Sequence, residues 1–278
     1  IIDTSVFGMG RGAGNLNTEL FTEYLNNKFG LRYLIEPILY IMDEVVYNIY
    51  KEIGWGYSMP QYLSAKRNCH PNYANHLSGK ETLKVDHINT ILKSVADEKK
   101  NSFDKQYIES LYLDFQTRNS IMDEDSVLKL KQQLENKSIV LLASGPNAVT
   151  EKNKVIKYYK QANTIFIAVN FLPEILSPDF IFYSNLKRFD KSDNINYEKL
   201  ILTSNMINDI KNDAKHVVNY SSLLNCHDFL VDNGGLMLIN LLILLNVKEV
   251  LLAGFDGYIN SNHNCTKFAN DAEVITKV

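Results

Sequence analysis

The stretch that decides the fold of the second half of the chain is Ile139-Val-Leu-Leu-Ala-Ser-Gly-Pro-Asn147. It begins with a continuous apolar run, and unbroken apolarity is typical of a strand buried on both faces of a sheet. Small residues and an amide follow at once, as in a loop that binds a ligand beyond the end of a parallel strand. The stretch therefore predicts a buried strand followed by a candidate binding loop.

Further apolar runs of similar length follow and predict a whole sheet. They are Thr164–Val169, Phe180–Tyr183, Leu200–Thr203, Val217–Tyr220 and Glu249–Ala253. Helical patterns separate several of these runs, notably Gly235–Leu245. Strands alternating with helices predict a doubly wound, mostly parallel, Rossmann-like α/β domain over residues 138–278.

The region before this domain shows only the spacing of helices. Apolar residues recur every three or four positions between residues 30 and 117, and Gly54, Pro60 and Pro71 mark the ends and beginnings of runs. One run, from Ile38 to Ile53, predicts a single apolar stripe. We expect an all-helical domain over 30–117 and a polar linker helix over 118–137.

Glycines crowd the start of the chain, where a short apolar piece leads through Gly8–Asn15 into a helix. Gly10, Gly12 and Gly14 are spaced G-x-G-x-G, whereas a dinucleotide site requires G-x-G-x-x-G inside a βαβ unit. A dinucleotide site is therefore disfavoured. The alternative is a tight turn into a helix, which leaves the density of glycines unexplained.

The stretch Ile2-Asp-Thr-Ser-Val-Phe-Gly-Met-Gly-Arg-Gly-Ala-Gly-Asn-Leu-Asn-Thr-Glu19 resembles the hydroxymethylglutaryl-CoA lyase and 4-hydroxy-2-oxovalerate aldolase family. It is similar to the last strand, loop and helix of their (β/α)₈ barrels, and residues 30–117 resemble the helical domain of the oxovalerate aldolases. The resemblance implies a lyase that makes or cleaves carbon–carbon bonds of a small-molecule substrate with Mn²⁺ or Mg²⁺. It implies Asn15 as a metal ligand and Tyr57, in Trp55-Gly56-Tyr57, as a substrate contact.

The chain departs from that family in its other metal ligands. None of its six histidines forms a His-x-His pair, and the family's aspartate on the first barrel strand is absent. We therefore expect a C-terminal segment of a longer lyase, with residues 1–29 as the tail of its barrel. This segment alone is expected to lack aldolase activity, and Leu20, Phe21, Tyr24 and Leu25 are expected to lack their packing partners.

A second resemblance covers residues 138–258. The order of Gly-Pro-Asn147, Asn170, Pro178-Asp-Phe-Ile-Phe-Tyr-Ser-Asn185, Gly234-Gly235 and Lys248-Glu-Val-Leu-Leu-Ala-Gly-Phe-Asp256 is similar to a broad Rossmann-like group. The group includes bacterial CMP-sialic-acid sialyltransferases, motility accessory factor proteins and 6-hydroxymethylpterin diphosphokinase-like proteins. It implies a nucleotide or nucleotide-sugar site, although glycine and asparagine are also ordinary loop formers. The candidate residues are Gly145, Pro146, Asn147, Asn170, Asn185, Gly234, Gly235 and Asp256.

Composition bounds the partners and the compartment. The 278 residues carry 29 basic and 32 acidic side chains, so nothing electrostatic favours a nucleic-acid partner. Apolar residues make up 45%, which excludes a disordered or fibrous chain, and no stretch reaches a membrane span of about 18 apolar residues. Three widely separated cysteines indicate a reducing compartment, and the expected location is cytoplasmic.

Two cysteine–histidine groups give little indication of a metal or catalytic site. Cys69 with His70 and His76 lacks the paired spacing of a zinc site. Cys226 and His227 are adjacent, and neighbours in a chain seldom face each other as nucleophile and base. We expect structural roles at both places.

Three functional hypotheses remain. The first is an aldolase-type lyase extended by a nucleotide-binding domain. The second is a sialyltransferase-like glycosyltransferase built from the α/β domain, in which His263 lies too early in the chain to be assigned as the family's base. The third is a non-catalytic module whose helical domain forms a homodimer or docks a partner subunit.

Overall fold

The structure is a computed structural model that describes residues 1–80, 82–145, 147–173, 177–210, 214–226 and 230–255. The chain separates into two compact units. The helical unit comprises residues 1–78 and 85–108, and the α/β unit comprises 79–84 and the residues from 109 onward. The linker predicted over 118–137 lies inside the second of these units.

The helical unit contains short helices that end where glycine and asparagine permit a left-handed turn. Its helices are α1 (Thr18–Phe29), α2 (Glu36–Ile41), a π-helical turn (Met42–Val46), α3 (Tyr47–Ile53), α4 (Met59–Arg67), α5 (Pro71–Ser78), α6 (Val85–Lys93) and the first turn of α7 (Lys105–Thr117). Gly30 follows α1 with a φ of 65° and Asn68 follows α4 with a φ of 51°. Both residue types tolerate this conformation, which satisfies the last helical carbonyls.

The two ends of the helical unit differ in burial. Tyr73, Leu77 and Ile91, on α5 and α6, are almost fully buried. Over residues 1–62, all of which the structure describes, Val46 is the only hydrophobic side chain classed as buried. The apolar stripe predicted between Ile38 and Ile53 is helical, but it does not form the core of this unit.

Many large apolar side chains of residues 1–62 are instead exposed, and we call this surface the amino-terminal apolar face. It includes Leu20 (66% exposed), Leu34 (75%), Tyr40 (68%) and Ile53 (75%). Isolated exposed apolar residues are normal, whereas a high density of them marks a surface that packs against something else. Of the four residues expected to lack packing partners, Leu20 and Tyr24 are exposed, whereas Phe21 and Leu25 are half-buried. The ring of Tyr24 lies against those of Phe21 and Phe29 on the same helix.

Alanine at Leu20 is expected to change stability little, whereas alanine at Leu77 is expected to cost about 3 kcal/mol. Leu20 is 66% exposed and Leu77 is fully buried, so only the second change leaves a cavity. Surface changes usually stay within about 0.5 kcal/mol. Urea unfolding of both variants tests the difference, and equal losses would show that Leu20 is buried in solution.

The α/β unit is built on six parallel strands in the order β5-β4-β3-β2-β1-β6. They are β1 (Ser138–Leu142), β2 (Thr164–Val169), β3 (Phe180–Tyr183), β4 (Leu200–Thr203), β5 (His216–Val218) and β6 (Glu249–Ala253). The prediction of a parallel α/β sheet is therefore confirmed. The fifth strand begins one residue before the predicted run.

Helices cover both faces of this sheet, which explains why β1 to β4 read as unbroken apolar runs. The prediction of burial on both faces is wrong for β6, an edge strand in which Glu249 and Leu252 are exposed. The remaining helices are the body of α7, α8 (Glu124–Leu134), α9 (Asn147–Thr150), α10 (Lys152–Tyr159), α11 (Leu186–Asp190) and α12 (Gly234–Leu244). One core layer packs α8 and α12 against the strands, and the other packs α10 and α11. None of the helices described is long and apolar enough to cross a membrane.

The strand order places the topological switch point of the sheet between β1 and β6. After β1 the chain passes to α10 on one face, whereas α12, which leads into β6, lies on the other face. Ligands of open parallel sheets bind outside the carboxyl ends of the strands where such a reversal occurs. Most of the predicted site residues lie at this edge.

Candidate functional site

The loops that follow β1 and β6 are tied together at the carboxyl edge. Asn147 Oδ1 accepts a hydrogen bond from the Gly254 N–H at 2.6 Å, and the Gly145 N–H donates to the Gly254 carbonyl at 3.0 Å. Gly254 has a φ of +75°, and an added Cβ would lie 2.7 Å from the Ala143 carbonyl carbon. The amide oxygen of Asn147 and the N–H of Gly145 therefore hold the two loops together.

Asn170 joins the ends of β2 and β3. Its backbone N–H donates to the Phe182 carbonyl at 2.7 Å, and its Oδ1 accepts from the Ser184 N–H at 2.9 Å. Its Nδ2 donates to Ser184 Oγ at 3.3 Å. Since a primary amide carries two N–H groups, Asn170 keeps one donor beyond those contacts.

Asn185 serves as a helix cap. It is only 9% exposed, and its Oδ1 accepts from the Arg188 N–H at 3.0 Å at the start of α11. An N-cap asparagine stabilises a helix by this bond. Its amide oxygen is therefore committed to the fold.

The beginning of α12 supplies backbone donors at the same edge. Asn233 caps the helix by accepting from the Leu236 N–H at 3.2 Å. The N–H groups of Gly234 and Gly235 have no acceptor among the residues described. They lie at the positive end of an 11-residue helix, where an anion is favoured.

Both glycines of α12 lie in close contact with neighbouring side chains. A Cβ at Gly234 would lie 2.9 Å from Ser184 Oγ and would overlap Asn170 Nδ2. A Cβ at Gly235 would lie 2.6 Å from Cε1 of Phe255, which follows β6. The glycines thus bring the helix terminus against the ends of β2, β3 and β6.

A polar network beside this edge was not predicted from the sequence. Asn205, just after β4, donates through Nδ2 to Gln116 Oε1 at 3.1 Å and to the Ser184 carbonyl at 3.3 Å. Its Oδ1 accepts from Thr203 Oγ1 at 2.6 Å. The only sequence signal was an asparagine shortly after an apolar run, as at Asn170.

The network continues to a carboxylate held by two tyrosines. Asp232 Oδ2 accepts from the hydroxyl of Tyr112 and, at 3.2 Å, from that of Tyr220. Burial raises the pKa of both tyrosine hydroxyls well above their ordinary value, and the neighbouring Asp232 adds to the effect. Both tyrosines are therefore protonated donors at neutral pH.

The other predicted site lies in the helical unit, around the glycine-rich loop. Asn15 is exposed, and its Nδ2 donates to the Met9 carbonyl at 3.0 Å. The Gly56 N–H donates to the Gly12 carbonyl at 3.3 Å, which brings the segment of Tyr57 to this loop. Tyr57 itself is 78% exposed.

The carboxylate of Glu19 belongs to the framework of that loop. Glu19 is 9% exposed, and its oxygens accept from the Phe7 N–H and from Asn17 Nδ2, both at 3.0 Å. Trp55 Nε1 closes the loop by donating to the Phe7 carbonyl at 2.8 Å. These bonds commit both oxygens of Glu19 to the loop itself, and the Asn15 N–H donates to the Gly8 carbonyl of the same loop at 2.9 Å.

Several residues singled out in the sequence lie outside the described part of the chain: Pro146, His227, Asp256 and His263. Within that part, no group of three His, Cys, Asp or Glu side chains could hold a metal ion. Cys69 is buried, and burial raises the pKa of its thiol, whereas Cys226 is exposed.

Comparison with protein-family models and with curated proteins finds no match for this chain.

Proposed function

We propose that the α/β unit binds a nucleotide or nucleotide sugar at the carboxyl edge of its sheet. The observation that carries this proposal is the pair of N–H groups of Gly234 and Gly235, which have no acceptor among the residues described. A phosphate oxygen satisfies such donors and is favoured by the helix dipole. The remaining N–H of Asn170 lies beside them and suits the same anion or a neighbouring hydroxyl.

Nucleotide binding is tested by thermal unfolding of the whole chain with CMP, CDP, GDP, ADP and UDP, with and without Mg²⁺. A ligand at 100 times its Kd should stabilise the folded state by about 2.7 kcal/mol, a shift of several degrees. The matching nucleosides lack the phosphate and should give a much smaller shift. No shift with any nucleotide contradicts the proposal.

Aspartate at Asn233 is expected to weaken nucleotide binding about tenfold or more. Asp caps a helix as well as Asn does, so the fold is kept, but it places a negative charge beside the site of the phosphate. Asn233→Ser is the matched control, since it caps without charge and should bind nearly as the wild type does. Isothermal titration measures both variants, and equal affinities would place the phosphate elsewhere.

A second proposal follows from the resemblance of residues 1–117 to the aldolase family. We propose that residues 1–29 are the end of the barrel of a 4-hydroxy-2-oxovalerate aldolase-like lyase, with the glycine-rich loop at its last strand. The proximity of the Tyr57 segment to the loop that holds Asn15 supports it. One amide oxygen does not hold Mn²⁺ or Mg²⁺, so the described residues do not fit a resident metal by themselves. Retro-aldol cleavage of a 4-hydroxy-2-oxo acid by this chain would contradict our expectation that the segment is inactive.

The competing hypothesis is a docking role for the helical unit, either as a homodimer or with a partner subunit. The amino-terminal apolar face favours it, because Leu34, Tyr40 and Ile53 expose most of their surface. Sedimentation velocity of the chain, and of a Leu34→Ser, Ile53→Ser variant, tests it. A mass that stays monomeric at all concentrations would exclude the homodimer.

A further inference from the structure

The carboxylate of Asp232 is held in one orientation by donors from two distant parts of the chain. Tyr112, on α7, donates to Oδ2 across 120 residues, and Tyr220, after β5, donates to the same oxygen. Two hydrogen bonds to one oxygen fix the rotation of the carboxylate. The other oxygen, Oδ1, therefore has a defined position.

The hydrogen bonds of Tyr112 leave no doubt about which atom donates. A phenol hydroxyl has one proton, and Tyr112 uses it in the hydrogen bond that it donates to Asp232 Oδ2. The Thr82 hydroxyl at 2.7 Å and Gln116 Nε2 at 3.2 Å must then both donate to the Tyr112 oxygen. The hydroxyl of Tyr112 thus makes one donated and two accepted hydrogen bonds. The hydrogen bonds of Thr82, Gln116 and Tyr112 therefore all run in the direction of Asp232.

The second oxygen of Asp232 is open. No described residue donates to Oδ1, and the residue is half-buried rather than enclosed. None of the ion pairs among the described residues includes Asp232. Among the residues that the structure describes, the cluster therefore presents one acceptor that no ion pair neutralises.

This acceptor lies next to the proposed phosphate site. Asp232 precedes Gly234 by two residues, so their Cα atoms are at most about 7.6 Å apart. The network also runs from Tyr112 through Gln116 and Asn205 to the Ser184 carbonyl at the end of β3. Asp232 and the backbone donors of α12 thus lie at the same edge of the sheet.

We propose that Asp232 Oδ1 accepts a hydrogen bond from a sugar hydroxyl of the bound ligand, either on the ribose or on the sugar attached to its phosphate. This proposal rests on the proposed function, because the phosphate at Gly234 and Gly235 places a sugar within reach. A neutral hydroxyl suits an acceptor that has no cationic neighbour. The tyrosine pair acts as a positioning device for that acceptor.

Replacing Asp232 by asparagine tests the proposal because it changes the open hydrogen-bond acceptor into a donor. The two tyrosine hydroxyls still need an acceptor, so the amide oxygen must take the place of Oδ2. The amide N–H₂ then occupies the place of Oδ1 and presents donors where the ligand needs an acceptor. The variant thus keeps the hydrogen bonds of the two tyrosines, but it presents a donor to the ligand hydroxyl in place of an acceptor.

The affinities are measured by isothermal titration of the whole chain. The ligands are CMP, UDP, ADP and GDP, their 2′,3′-dideoxy counterparts, UDP-glucose and CMP-sialic acid. If the ribose is recognised, the wild type binds the dideoxy forms about tenfold or more weakly, and Asp232→Asn removes that preference. If the attached sugar is recognised, Asp232→Asn weakens only the sugar nucleotides by a similar factor. Either result supports the proposal.

The proposal is overturned if Asp232→Asn binds every probe as the wild type does while Asn233→Asp still weakens binding. That result would leave the proposed function intact. If no probe binds the wild type, both proposals fail. Asp193→Asn, at an exposed position, is the charge-matched control and should change nothing. Should Asp232→Asn lower the melting temperature, Tyr220→Phe removes one of the two positioning bonds and should reduce the preference about two- to fivefold.

Discussion

Replacing Gly254 by alanine is expected to destabilise the α/β unit by about 3 kcal/mol or more. The new Cβ would overlap the Ala143 carbonyl oxygen and lie 3.1 Å from the Gly145 nitrogen, and both are backbone atoms that cannot move aside independently. The φ of +75° adds about 1–2 kcal/mol of strain for a residue with a Cβ. The hydrogen bond from Ala143 to Ala253, at 2.8 Å, fixes the same backbone from the other side.

Scanning calorimetry measures this effect, and Gly30→Ala is the control. Gly30 has a φ of +65°, but no atom lies within 4 Å of its added Cβ, so the control contains the backbone strain without the clash. We expect it to cost about 1–2 kcal/mol, the backbone strain alone. Equal losses of unfolding free energy in the two variants would contradict this prediction. They would mean that the loops after β1 and β6 can move apart at no cost and are not held together as described.

Lowering the pH is expected to reduce the unfolding free energy of the α/β unit because of His216. This side chain is fully buried on β5, and neither ring nitrogen has a hydrogen-bond partner. Burial lowers its pKa from 6.5, and the charges of Lys215 and Lys129 lower it further, while Glu198 opposes them. The folded chain therefore binds fewer protons than the unfolded chain below pH 6.5, so stability is lost as the pH falls through 6.5 toward the folded-state pKa.

Leucine at His216 should remove this dependence and raise stability at neutral pH by roughly 1–3 kcal/mol, the cost of burying unpaired polar groups. The ring lies 6.1 Å from that of Phe180, in an apolar setting that a leucine fits. Urea unfolding at pH 7.5, 6.5 and about 5.5 measures the effect. His70→Gln, in the helical unit, is the control and should leave the α/β unit unchanged. A wild-type stability that is flat over this range would contradict the assignment.

The local pattern of the chain was sufficient to predict its α/β unit. A strand buried on both faces must be apolar at every position, so β1 to β4 could be read directly from unbroken apolar runs. The edge strand β6 was predicted from the same kind of run, although Glu249 and Leu252 are exposed in the structure. The carboxyl edge followed from the same pattern, since glycine and asparagine come directly after the strands. Burial in the helical unit could not be read in this way. The spacing of Ile38 to Ile53 predicts an apolar stripe on a helix, but what covers that stripe depends on neighbours that spacing does not encode.

What the sequence determined by itself is therefore the sheet, most of the main helices and the glycine- and asparagine-rich loops at its carboxyl edge. Only the tertiary structure decided how the polar groups at that edge are used. Asn147, Asn170 and Asn185 hold strands, loops and a helix together through their side-chain oxygens, whereas Asp232 keeps one oxygen open. The physical reason is that an apolar pattern repeats over a few neighbouring residues, while a hydrogen bond such as that from Tyr112 to Asp232 joins residues 120 positions apart.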